Sequence, residues 1–95
     1  MGKPAARLTD LHTCPETSPS AHVGGPVITG AGTVLIEGKP AARVSDRLRC
    51  HGPTDVISTG SSTVIIEGRP AARVGDRTVH RGVIVSGASS VLIGD

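Results

Sequence analysis

The phrase Gly-Lys-Pro-Ala-Ala-Arg occupies positions 2–7 and 38–43, and Gly-Arg-Pro-Ala-Ala-Arg occupies 68–73. A phrase used three times in 95 residues leaves space for little besides three copies of one structural unit. The similarity extends beyond the phrase. Segments 33–46 and 63–76 align without a gap and differ only at Leu35/Ile65, Lys39/Arg69 and Ser45/Gly75. The first copy has no such segment before it, and segment 90–93 has no phrase after it. A closed arrangement follows if that last segment packs beside the first.

Each unit reads as β-structure. Segments 33–37, 63–67 and 90–93 are rich in Val, Ile and Thr, residues that suit strands. Gly followed by a cation and Pro then marks a tight turn, with Pro4, Pro40 and Pro70 as its fixed points. Ala-Ala-Arg continues as a second short strand whose small side chains let backbones approach closely. Segment 8–26, rich in Pro, Ser and Thr, reads as an ordered loop longer than its counterparts.

Composition narrows the alternatives. The chain has no Phe, Tyr or Trp, so its core is thin, and a domain this small usually needs a metal, a disulfide or a partner. A net charge of +2 and the lack of aromatic stacking platforms argue against nucleic-acid binding. No stretch approaches the roughly 20 apolar residues of a membrane span, so stable membrane insertion is not expected. The first residues lack a secretory h-region, which implies synthesis in the cytoplasm, where two cysteines serve as thiols or ligands rather than a disulfide.

Two residue sets recur with the repeat. Arg7/Asp10, Arg43/Asp46 and Arg73/Asp76 keep one spacing and read as turn-bracing scaffold pairs, each contributing under about 1 kcal/mol if exposed. Four residues beyond each of those aspartates stand Cys14, Cys50 and His80, with His12, His22 and His51 nearby. If three hairpins surround an axis, these loops converge, and converging Cys and His side chains form a tetrahedral site of the kind zinc favours. Cys50 and His80 are its natural members by equivalence. His12 and His22 bracket the long loop, and Cys14 competes with them. A Cys14–Cys50 disulfide is the lesser alternative.

The three Pro-Ala-Ala-Arg phrases, together with Asp-Leu-His-Thr-Cys-Pro, His-Val-Gly-Gly-Pro and Gly-Ser-Ser-Thr-Val-Ile-Ile-Glu-Gly, make the chain resemble the PAAR-repeat family across essentially its whole length. That resemblance implies a small all-β cone, built from three pseudo-three-fold β-hairpin units that converge on an apical metal site. It implies a structural Zn2+ held by His12, His22, Cys50 and His80, with Cys14 as the alternative ligand. It also implies a function: capping and sharpening the trimeric VgrG spike of a bacterial type VI secretion system, one tip per trimer, with noncovalent effector cargo. The first two copies depart from the family in carrying Thr9 and Ser45 where Gly commonly precedes Asp.

Residues 1–95 are thus expected to form one PAAR-repeat domain with no fused effector or extension. The protein is expected to be a monomer in isolation, made in the cytoplasm and carried out with the spike. A related phage-like contractile tail is the alternative setting. A small zinc hydrolase is the rival from another class, but it needs an open metal position and a general base. Glu37 and Glu67 end strands beside the turns, which leaves only Glu16 in a loop, so no enzymatic activity is expected.

Overall fold

The computed structural model describes residues 2–13, 23–50 and 53–94. Among the described residues, ten strands of two to four residues follow one another: β1 (Lys3–Pro4), β2 (Leu11–Thr13), β3 (Val23–Pro26), β4 (Leu35–Ile36), β5 (Lys39–Pro40), β6 (Arg47–Leu48), β7 (Asp55–Val56), β8 (Ile65–Ile66), β9 (Arg69–Pro70) and β10 (Leu92–Ile93). They pair antiparallel as β1–β10, β2–β3, β4–β5, β6–β7 and β8–β9. No helix occurs among the described residues, and the architecture is all-β. Lys3 faces Ile93 and Pro4 faces Leu92. The last strand therefore gives the first phrase the partner that β4 and β8 give the other two.

The hairpins are tighter than the sequence suggests. The ladder in the second unit is only Leu35–Ile36 against Lys39–Pro40, because the chain reverses at Glu37 and Gly38, both at positive φ (52° and 81°). Two left-handed residues in succession make the two-residue turn that matches strand twist. The prolines lie in the returning strand rather than in the turn itself. A second difference falls in segment 8–26, expected to be a loop. Leu11 pairs with Pro26 and His12 with Gly25, with a bulge between His12 and Thr13. The polar composition conceals these strands, whose pairing rests on backbone bonds and on a glycine at φ 139°.

Around the axis the three phrases form a closed ring of backbone hydrogen bonds. Ala6 N donates to Ala72 O (2.9 Å), Ala42 N to Ala6 O (3.0 Å) and Ala72 N to Ala42 O (3.0 Å). Only a small side chain fits where three backbones meet this closely, and all three alanines are buried. A second triad repeats outside it: Leu8 N, Val44 N and Val74 N donate to Pro40 O, Pro70 O and Pro4 O. These bonds join different units, so no hairpin has to be stable alone.

The core consists of two clusters, and the alanine ring belongs to one of them. One contains Ala5, Ala41 and Ala71 with Ile36, Ile66 and Ile93, flanked by Val34, Val64 and Val91. The other contains the ring alanines with Val27, Ile57, Ile84 and Leu48. Nearly every member comes in threes.

The Arg–Asp pairs brace the turns, as expected, but they are not exposed. Asp10, Asp46 and Asp76 are all buried. In the second unit Asp46 accepts from Arg43 N (2.7 Å), Nε (2.9 Å) and Nη2 (3.0 Å) and from Thr29 Oγ1 (2.9 Å). Forked, charge-assisted bonding of this kind fixes a turn more firmly than a surface pair. The residue before each aspartate is left-handed in all three units: Thr9 at φ 76°, Ser45 at 83° and Gly75 at 95°. Replacing the usual glycine leaves the turn unchanged and places strain on Thr9 and Ser45.

Candidate functional site

The repeat register sets the height of each candidate ligand. Two residues beyond the aspartates stand His12, Leu48 and Thr78, all buried. His12 thus occupies a core position that Leu48 fills in the next unit. Four residues beyond the aspartates come Cys50 and His80, one step further along the same strands' path. The structure brings these two together: His80 Nδ1 lies 3.3 Å from Cys50 Sγ.

His12 is completely enclosed, with Nδ1 2.9 Å from Gly25 O and Nε2 3.1 Å from Asp55 Oδ2. Asp55, which sequence reasoning did not single out, joins it to His80. Its Oδ1 accepts from Val56 N (2.8 Å) and His80 N (2.9 Å) and lies 3.9 Å from His80 Nδ1. The signal was present in the repeat register. Asp55 stands two residues before Ile57, the place Gly25 takes before Val27 and Gly82 before Ile84. A carboxylate there interrupts a run of glycines.

Cys50 differs from expectation. Cys50 is disulfide-bonded, and no free cysteine occurs among the described residues. A thiolate ligand and a disulfide are alternative fates of one sulfur, decided by the redox compartment. Cys14 and His22, with His51 beside Cys50, lie outside the described residues. Among the described residues no group of three or more His, Cys, Asp or Glu side chains is arranged to hold a metal.

The hairpins that carry the turns present a different surface. Leu35, Ile65 and Leu92 occupy equivalent positions and are 62%, 57% and 61% exposed. Their neighbours Lys3, Lys39 and Arg69 are exposed as well, one per unit. Behind them two glutamates clasp adjacent units. Glu37 binds Arg7 Nη1 (2.7 Å) and accepts from Ser90 N (2.8 Å) and Ser90 Oγ. Glu67 binds Arg43 Nη1 (2.8 Å) and accepts from Thr33 N (2.7 Å) and Thr33 Oγ1. The serine and threonine donors, with smaller help from the arginines, hold both carboxyls below the usual glutamate range.

The profile of the PAAR motif family matches residues 17–86, a span that contains the second and third phrases in full. The chain belongs to the PAAR motif family. A comparison with curated proteins gave no match. PAAR motif proteins are structural spike-tip proteins, and membership implies a spike-tip-like role for this chain. The glutamates fit a structural reading, since Glu37 and Glu67 hold units together and are spent on arginine and hydroxyl partners.

Proposed function

We propose that this PAAR protein caps the blunt end of a trimeric VgrG-like spike, one tip per trimer. The observation that carries this reading is the triad of exposed Leu35, Ile65 and Leu92, ringed by Lys3, Lys39 and Arg69. Large apolar side chains exposed at three equivalent positions mark a surface meant to be covered. A pseudo-three-fold face on one chain suits a true three-fold partner. Covering the open strand ends of such a needle also protects them from wrong pairing.

The setting we propose is a type VI secretion system. The chain is a monomer until it docks, is made in the cytoplasm, and leaves with the spike and any noncovalent effector cargo. Its role is mechanical and not enzymatic.

We further propose a structural zinc held by His12, His22, Cys50 and His80. The spacing of two of these donors supports it. The 3.3 Å between His80 Nδ1 and Cys50 Sγ is close to the edge of about 3.6 Å that zinc–nitrogen and zinc–sulfur bonds subtend at a tetrahedral angle. His12 keeps Nδ1 on a backbone carbonyl, the partner a metal-binding histidine commonly has. Its Nε2 serves by exchanging Asp55 for the metal, and Cys50 serves as a reduced thiolate, with Cys14 as the alternative sulfur. Structural zinc contributes about 10–16 kcal/mol in zinc-finger peptides, ample for a protein without aromatic residues.

Co-purification tests the docking reading. The tagged chain should capture a trimeric spike protein encoded in the same genome, and L35E/I65E/L92E should abolish capture while leaving the fold intact. Failure to bind any such spike, or capture unaffected by the triple substitution, would contradict it.

A further inference from the structure

Three cations stand at the turn ends of the ladders, one per unit. Lys39 faces Ile36, Arg69 faces Ile66, and Lys3 faces Ile93 where the first and last strands meet. All three are exposed, and each partner isoleucine directly follows one of the exposed Leu35, Ile65 and Leu92. On the flanks, exposed equivalents diverge. Leu11, Arg47 and Arg77 share one position of the repeat and Ile28, Ser58 and Val85 another, all of them exposed. A surface that meets only water needs no fixed sign, as those positions show. The turn ends keep a cation in every unit, even where Lys gives way to Arg.

The carboxylates nearest these cations are already spent inside the molecule. Glu37 and Glu67 bind Arg7 and Arg43 together with Ser90 and Thr33. Asp46 Oδ1 lies 4.0 Å from Arg69 Nη1, but Asp46 is filled by Arg43 and Thr29, and the Arg69 side chain stays 48% exposed. Covering Leu35, Ile65 and Leu92 brings the three cations to the margin of the contact. A cation that loses water there without gaining a partner is costly. Such a face accepts a surface with acidic groups around an apolar middle and disfavours a basic one.

We propose that the docking end of the trimeric partner carries a ring of carboxylates, one per spike chain, that meets Lys3, Lys39 and Arg69. This rests on the docking reading above. The apolar triad supplies the contact, and the charges supply orientation and speed, because complementary charge acts on encounter more than on final affinity. With a three-fold ring on each side, every rotation by one unit presents the same match.

Association kinetics of the full chain with the trimeric spike protein encoded in the same genome test this. Wild-type association should slow at least about 10-fold as salt rises from about 0.01 M to about 0.15 M. K3Q/K39Q/R69Q should be at least about 10-fold slower at the lower salt and lose most of the salt dependence, with its melting temperature unchanged. R47Q/R49Q/R77Q removes as much charge from positions that do not repeat, and should associate nearly as fast as wild type. Equal slowing by both sets would assign the effect to net charge and overturn the proposal. Wild-type association that ignores salt, a readout that needs no variant, would overturn it as well. Docking itself is judged by L35E/I65E/L92E. If that variant still binds, the docking reading fails and the ring with it; if it does not bind while K3Q/K39Q/R69Q behaves as wild type, only the acidic ring fails.

Discussion

Thr9 and Ser45 perform a glycine's task with side chains attached. Both sit at positive φ, yet both make the backbone bond that Gly75 makes: Thr9 N to Val27 O, Ser45 N to Ile57 O and Gly75 N to Ile84 O, each at 2.9 Å. A β-branched residue held there costs on the order of 1–3 kcal/mol, partly offset by the extra freedom glycine gives the unfolded chain. Thr9→Gly should therefore stabilise the protein by about 1 kcal/mol, a rise of roughly 4–8 °C in melting temperature, and a fall would contradict the account. Glu37 and Glu67 are expected to contribute to acid sensitivity. Their carboxyls titrate lower in the folded protein than the ordinary 4.5, so the stability they contribute is complete above that value. It is lost as pH falls through the lower folded range. Urea titrations of wild type should show stability falling below about pH 4.5, and E37Q/E67Q should flatten that limb. An unchanged acid limb would show that the clasps contribute nothing. At this scale Cys50 and His80 were legible because equivalence in the repeat put them at one height. Asp55 was not, because a lone aspartate has no sequence signature until its unit is aligned with the two glycines it replaces.

Elements here are too short to be stable on their own, and closeness between units takes the place of length. The equivalent glycines Gly30, Gly60 and Gly87 show this: a Cβ on each would lie 2.9, 2.8 and 2.8 Å from Ala41 O, Ala71 O and Ala5 O, whereas Gly32, two residues past Gly30, has nothing within 4 Å. Gly60→Ala should therefore lower stability by about 1–3 kcal/mol, with Gly32→Ala close to neutral. Equal thermal midpoints for the two variants would mean that the inter-unit approach can relax freely. The three hairpins were readable from Val/Ile/Thr runs followed by Gly and Pro. Their brevity was not, because the reversal at Glu37–Gly38 uses a glutamate at positive φ that an ion pair and a serine hold in place. Strands β2 and β3 were hidden for a related reason. Their order comes from pairing across the molecule, including Thr13 N to Val83 O, and not from local propensity.

The whole molecule is symmetric at one end and not at the other. Leu35, Ile65 and Leu92 repeat faithfully, and so do the alanine ring and the paired isoleucines beneath. Beyond the ring, equivalent positions diverge into His12, Leu48 and Thr78, then into Asp55 opposite two glycines. Symmetry is kept where a three-fold partner would meet the chain and abandoned where one set of loops would share one metal. The most direct test of that division is native mass spectrometry of the chain mixed with its cognate trimeric spike. The account predicts one complex of three spike chains and one tip, absent for L35E/I65E/L92E. Three tips per trimer, or a complex that survives the triple substitution, would contradict it.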